Sequence, residues 1–183
     1  MKKHILVVPG DGIGQEVTAV GKKVLEKIAE KFGHEFTFDE ALIGHVAIEA
    51  TGIPLPDETL VKMRASDAIL FGAVGHAKYD NDPHAKVRPE QGLLAMRKEL
   101  GLYANLRPIK LFDELLEASS IKPEILKGAD ILFFRELTGD VYFGKRERID
   151  EGNTAYDTVI YSKYEVERIA RKAFDAAMTR GKN

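Results

Sequence analysis

Cysteine is absent from this 183-residue chain. Its absence excludes disulfide staples and thiolate chemistry, and it suits a reducing compartment. Long apolar runs are lacking too. Ile5-Leu6-Val7-Val8 stops at Pro9-Gly10, too short for the apolar part of a signal peptide and far too short to cross a bilayer. Nor is there an excess of one charge. Charged residues make up 31% of the chain but leave a formal net charge of -2, which gives no basis for a nucleic-acid or acidic-membrane partner. No internal repeat or low-complexity segment is found. The expectation is a soluble, cytoplasmic protein. What is present is a hydrophobic fraction of 44%, ample for a core, in a length that suits one ordinary domain or parts of two.

The apolar pattern alternates between strand and helix. Ile5 to Val8 reads as a buried parallel strand that ends in the turn Pro9-Gly10-Asp11-Gly12. Val17, Val20, Val24, Leu25, Ile28 and Phe32 then recur at helical spacing, with lysines and glutamates on the other face and Gly33 as the closing residue. Phe36 and Phe38 alternate like a second strand. Asp57 is a candidate cap for a short helix through Met63, and Ala68 to Phe71 is another buried strand. This order predicts βαβ units and an α/β, doubly wound sheet. His76 to Glu90 is polar and aperiodic and reads as a long loop, the place where such folds bind ligands. Helical spacing resumes at Leu93, Leu94 and Leu100. Tyr103 to Leu106 and Ile131 to Phe134 are further strands, the second of them buried. Val141-Tyr142-Phe143 and Ala155 to Tyr161 flank a charged connection and suggest an extended hairpin arm. Ser162 with Glu165 forms a capping box for a final helix whose apolar stripe is Val166, Ile169, Ala170, Ala173, Phe174 and Ala177.

Gly10-Asp11-Gly12-Ile13-Gly14 lies between a strand and a helix but does not spell the dinucleotide fingerprint, which needs G-x-G-x-x-G. Its backbone N–H groups either meet a ligand or simply turn tightly. Arg97, Arg107 and Arg135 form the second candidate. Guanidinium groups hold carboxylates through paired N–H donors, so three converging arginines would suit a dicarboxylate. Each also has a plain reading as a surface residue, and Arg135, directly after a buried strand, is the hardest to read that way. Tyr142 is either a hydrogen-bond donor or a packed aromatic in a strand. His45, His76 and His84 form no motif and lack the spacing of a zinc site; the loop histidines either touch a ligand or, the plainer reading, are simply solvent-exposed.

Several of these segments together resemble a known family. They are Gly10-Asp11-Gly12-Ile13-Gly14-Gln15-Glu16-Val17, Gly92-Leu93-Leu94-Ala95-Met96-Arg97-Lys98, Leu102-Tyr103-Ala104-Asn105-Leu106-Arg107-Pro108 and, most specific, Arg135-Glu136-Leu137-Thr138-Gly139-Asp140-Val141-Tyr142-Phe143-Gly144. The chain resembles the 3-isopropylmalate dehydrogenase branch of the β-decarboxylating dehydrogenase family along its whole length. Two departures stand out. The family's Gly-Gly-Pro-Lys-Trp loop is Gly75-His76-Ala77-Lys78-Tyr79 here, and Asp140 stands where a second glycine is common.

The resemblance implies the isocitrate/isopropylmalate dehydrogenase-like doubly wound fold, truncated after the N-terminal half. Residues 1–101 would be the first part of a discontinuous domain. Residues 102–183 would begin the second, with a dimer-arm hairpin near 144–160. It implies that Arg97, Arg107 and Arg135 hold substrate carboxylates, that Leu93 and Leu94 line the side-chain pocket, and that Tyr142 assists proton transfer. His76, Ala77, Lys78, Tyr79 and Glu90 would contact NAD. Mg²⁺ or Mn²⁺ would be ligated by aspartates in the remaining half, which would also carry a lysine partner for the tyrosine. No metal ligand is expected here, and Asp11, Asp67 and Asp130 are not candidates. The implied reaction is oxidative decarboxylation of 3-isopropylmalate in leucine biosynthesis, by a homodimer. The alternatives are a non-catalytic fragment or assembly subunit that needs a C-terminal half, and a relative acting on tartrate, malate or homoisocitrate.

Overall fold

Strand β1, Lys2–Gly10, opens the chain in a computed structural model that describes residues 1–80, 82 and 85–181. It is followed by α1 (Ile13–Phe32), β2 (Glu35–Glu40), α2 (His45–Thr51), α3 (Asp57–Ala65), β3 (Ala68–Ala73), α4 (Ala77–Asp80) and α5 (Pro89–Glu99). Then come β4 (Ala104–Lys110), α6 (Pro123–Leu126), β5 (Asp130–Glu136), β6 (Arg146–Ile149), β7 (Thr154–Asp157) and α7 (Lys163–Thr179). The chain divides into two compact units, Met1–Leu100 and Gly101–Asn183.

In the first unit β1 is central. It pairs in parallel with β2 on one side and β3 on the other. Both faces of the strand are buried at Ile5, Leu6, Val7 and Val8, as the all-apolar run requires. Leu6 and Val8 join Ile43, Met63 of α3 and Met96 of α5 in the core, with Ile69 and Phe71 packed against them. Gly21 of α1 instead meets Leu70, which points to the opposite face of β3. Helices therefore cover both sides of the parallel sheet, the doubly wound arrangement. Gly33 closes α1 in the left-handed conformation (φ 66°), as expected.

The side of α1 that meets the sheet differs from the apolar stripe. Buried Gly14 and Thr18 and half-buried Gly21 and Leu25 face inward, while Val17, Val20, Val24, Ile28 and Phe32 are exposed. Close approach of helix to sheet selects small residues, so the hydrophobic stripe was the wrong guide to the packed side. Two other expectations are corrected in this unit. Asp57 is the first helical residue of α3, after Pro56 at the cap, and makes no side-chain cap bond. The supposed loop from His76 to Glu90 contains the short α4, and α5 starts at Pro89, where proline's fixed φ favours a helix start. His84 lies outside the described residues.

The second unit has two separate two-stranded sheets, antiparallel β4–β5 and the antiparallel hairpin β6–β7. β4 does not stop before Pro108 but continues to Lys110. Among the described residues it has only β5 as a neighbour, and an edge strand tolerates a residue without an N–H. Arg135 is inside β5 rather than after it, and the strand is not buried, since Ile131 and Phe133 are exposed. Val141-Tyr142-Phe143 is not a strand. Asp140–Tyr142 is a 3-10 turn, and the charged run supplies the hairpin's first strand. The capping box of α7 is present: Glu165 N–H donates to Ser162 Oγ at 3.3 Å, and Ser162 N–H donates to Glu165 Oε2 at 2.6 Å. Along the predicted stripe of α7, Ile169, Ala170, Ala173 and Ala177 are half-buried, whereas Val166 and Phe174 are exposed.

Candidate active site

β4 and β5 pair Asn105 with Arg135 and Arg107 with Phe133. Residues directly opposite share a face, and so do residues two apart on one strand. Arg107 and Arg135 therefore stand on one face of the ribbon. Asn105 links them: it lies opposite Arg135, and its Oδ1 accepts from Arg107 Nε at 2.7 Å. Arg135 donates to the Tyr142 hydroxyl at 2.5 Å, with its guanidinium 5.5 Å from the Tyr142 ring centre. Arg135 and Tyr142 thus meet, and Arg107 stands on the same ribbon face as Arg135. The 3-10 turn, rather than a strand, aims Tyr142 back at Arg135.

The opposite face of β5 carries Glu136, whose side chain is 6% exposed. Its Oε1 accepts from Thr138 Oγ1 (2.7 Å) and Arg168 (2.5 Å); its Oε2 accepts from the N–H groups of Thr138 (2.6 Å) and Gly139 (2.8 Å). Burial pushes this carboxyl up. The bonds from Thr138, Gly139 and Arg168 outweigh it and hold the group below the usual glutamate range. Arg168, on α7, also donates to the Thr138 hydroxyl and lies over the rings of Tyr103 (4.4 Å) and Tyr164 (4.9 Å). Its Nε is buried with no hydrogen-bond partner among the described residues. Sequence reasoning passed over Arg168. The available signal was an arginine four residues after Tyr164, beside the apolar stripe of an otherwise ordinary amphipathic helix.

In the first unit the glycine-rich turn is occupied by packing. A Cβ on Gly10 would lie 2.0 Å from the carbonyl oxygen of Ala73, and one on Gly14 would lie 2.2 Å from that of Pro9. Close contact of β1, α1 and β3 accounts for both glycines. Asp11 at the centre of the turn is fully buried, and its carboxylate accepts from the N–H groups of His45 (2.8 Å), Val46 (3.0 Å) and Gly75 (3.0 Å). It fastens the start of α2 and the end of β3 to the turn, at the favourable positive end of a helix. Asp67 binds Lys3 and the His4 N–H, and Asp130 binds Arg180.

The expected cofactor segment follows β3. His76 is exposed, but its ring stacks on that of half-buried His45 at 3.9 Å, and Tyr79 meets His45 edge-on at 5.6 Å. His76 is thus solvent-exposed, as expected, and also part of a ring cluster with His45 and Tyr79. Tyr79 is buried, and its carbonyl accepts from Arg88 at 2.6 Å. Lys78 pairs with Glu49 at 2.8 Å, which holds the lysine above and the glutamate below their usual ranges. Ala77 begins α4. Glu90 is exposed in the first turn of α5, near Gly75. Leu93 packs on the core, while Leu94 and Arg97 are half-buried on the same helix. Arg97 belongs to the first unit, Arg107 and Arg135 to the second. Among the described residues, no three His, Asp or Glu side chains group as metal ligands.

A doubly wound sheet with a ring cluster beyond its strand ends, and a ribbon that carries two arginines on one face, describe an α/β protein. The isocitrate/isopropylmalate dehydrogenase model matches residues 4–183, and the chain belongs to that family of oxidoreductases. The 3-isopropylmalate dehydrogenase of Rhodopirellula baltica is 54% identical over 182 residues, covering 98% of this chain and 50% of that protein. A solved β-decarboxylating dehydrogenase from Thermococcus kodakarensis, in its apo form, is 32% identical with a TM-score of 0.66, over 98% of this chain and 46% of that one. The isocitrate dehydrogenase of Methylococcus capsulatus is 27% identical with a TM-score of 0.77, over 99% and 49%. The chain spans about half the length of the curated relatives it matches. No helix among the described residues is long and apolar enough to cross a membrane.

Proposed function

We propose that this chain supplies the carboxylate-holding and proton-handling part of an enzyme that oxidatively decarboxylates 3-isopropylmalate with NAD, a step of leucine biosynthesis. The observation that carries the reading is the Arg135–Tyr142 contact beside Arg107 on one uncovered face. Arg107 and Arg135 bind the substrate carboxylates as planar, permanently charged forks, with Arg97 as a further cation. Tyr142 accepts its hydrogen bond from Arg135. Its own proton therefore points away from the guanidinium and is free to be given to substrate. Leu94, with Leu93, offers an apolar wall for the isopropyl group. The name borne by relatives such as the Rhodopirellula protein supports the substrate.

His76, Ala77, Lys78, Tyr79 and Glu90 are the residues that would hold NAD, where the stacked rings offer a flat surface. NAD, when bound, accepts the hydride. Among the described residues no three His, Asp or Glu side chains group to hold Mg²⁺ or Mn²⁺. We read the first unit as the opening part of a discontinuous domain and β6–β7 as a subunit arm of a homodimer. Arg135→Ala is the test, in the chain combined with the rest of a full-length relative, with 3-isopropylmalate, NAD and Mn²⁺. Loss of a charge-assisted contact of about 3 kcal/mol predicts a fall in kcat/KM of about 100-fold. Unchanged turnover would sink the reading, and a preference for isocitrate, tartrate, malate or homoisocitrate would replace the substrate.

A further inference from the structure

The contact between Arg135 and Tyr142 spans a sharp change of direction. Arg135 is fixed in β5 by its pairing with Asn105. Tyr142 is reached only after the chain leaves the strand at Glu136 and turns through Asp140. The position of the hydroxyl therefore depends on what holds residues 136–140. Leu137 N–H donates to the Tyr103 carbonyl at 2.8 Å, and Asp140 N–H donates to the Ile160 carbonyl at 3.0 Å. Between those two anchors, the Thr138 and Gly139 N–H groups both point at the Glu136 carboxylate. The Thr138 hydroxyl also donates to Glu136 Oε1, at 2.7 Å, so every one of these three bonds comes from the turn itself, and a grip from outside the turn is what fixes the whole group against the ribbon. Arg168 supplies it by binding Glu136 Oε1 and the Thr138 hydroxyl together. The rings of Tyr103 and Tyr164 in turn hold the guanidinium.

We infer that Arg168 is a positioning residue: through Glu136 and Thr138 it sets the turn that brings the Tyr142 hydroxyl onto Arg135. Its contacts run instead to Glu136, Thr138, Tyr103 and Tyr164. The arrangement uses one arginine head with an unpartnered buried Nε, an expensive way to attach a helix to a ribbon but an effective way to fix one orientation of a carboxylate. The inference rests on the reading of Arg135 and Tyr142 as site residues, but its test does not use catalysis.

The readout is the NMR signal of the Tyr142 ring carbon bearing the hydroxyl, in the full chain labelled at tyrosine and assigned with Tyr142→Phe. Arg135→Ala gives the signal of a tyrosine released from the guanidinium. Arg168→Met, the milder Arg168→Lys and Thr138→Val are compared with it. In Arg168→Met the Tyr142 signal is expected to move most of the way to the Arg135→Ala position, with smaller moves in the other two. The backbone amide signals of Asn105, Leu106, Arg107 and Ile109 should stay in place. An unmoved Tyr142 signal in the folded variants would overturn the inference. So would loss of the Asn105, Leu106, Arg107 and Ile109 amide signals in all three, which would make Arg168 a residue that merely attaches α7. Failure of Arg135→Ala to lower turnover would instead overturn the functional reading and leave this positioning result standing.

Discussion

Leu6 and Val8 in the first unit are 0% exposed, enclosed by residues from strands and helices on one face of a parallel sheet. In the second unit only Leu137 and Gly139 are buried among the described residues, while Phe133 and Phe174 are exposed, the latter at 74%. The first unit is thus organised by apolar burial. The second is organised by polar links: Glu136 to Arg168, Asp130 to Arg180, and the Arg135–Tyr142 contact. A two-stranded ribbon with one helix cannot enclose a core, so geometry there depends on directional bonds. Loss of one charged partner in that second, bond-directed unit should therefore be felt more than loss of one apolar side chain. The contrast is open to test by substitution.

The largest effect should come from Leu6→Ala. Removing a fully buried leucine costs about 3–4 kcal/mol and should unfold the first unit at far lower denaturant. The matching change on the bare ribbon, Phe133→Ala, should cost under about 1 kcal/mol. Equal costs, measured by urea titration with unit-resolved NMR, would break the contrast. Asp11→Ala should follow, at about 3 kcal/mol, because it leaves the N–H groups of His45, Val46 and Gly75 without their acceptor. Slow amide exchange at those three positions in the variant would count against the role given to Asp11.

Acid should discriminate the units next. The folded Glu136 titrates below an unfolded glutamate. Its contribution is therefore present above the usual carboxylate range and lost as pH falls through the lowered value. The second unit should weaken over that window, and Glu136→Gln should lose about 2 kcal/mol at neutral pH while flattening the dependence. An unchanged acid profile in that variant would show that other groups carry it. The smallest effect is expected at Asp140, which sits at φ 66°, a conformation suited to glycine. Asp140→Gly relieves that strain but removes a hydrogen bond to Tyr161, for a net change within about 0.5 kcal/mol. Burial, then Asp140, hold the Tyr161 hydroxyl above its usual range. The variant should lower it partway, by spectroscopic titration.

Period and punctuation in the chain were enough for the parallel strands, α1 with its Gly33 cap, and the Ser162–Glu165 box that starts α7, because each depends on residues within a few positions of one another. Motif likeness was enough for the family. Local pattern misjudged what depends on neighbours far along the chain. The inward side of α1 follows from how closely the sheet approaches, and Pro108 is admitted to β4 because, among the described residues, β5 is its only partner. The same holds for the site. Arg107 and Arg135 were legible as residue types, but their shared face follows from the register of β4 on β5. The turn that returns Tyr142 to Arg135, and the Arg168 grip on Glu136 across 32 residues, are consequences of tertiary packing. Short-range spacing encodes a helix or a strand end, whereas the meeting of side chains distant in sequence is decided only when the elements that carry them pack together.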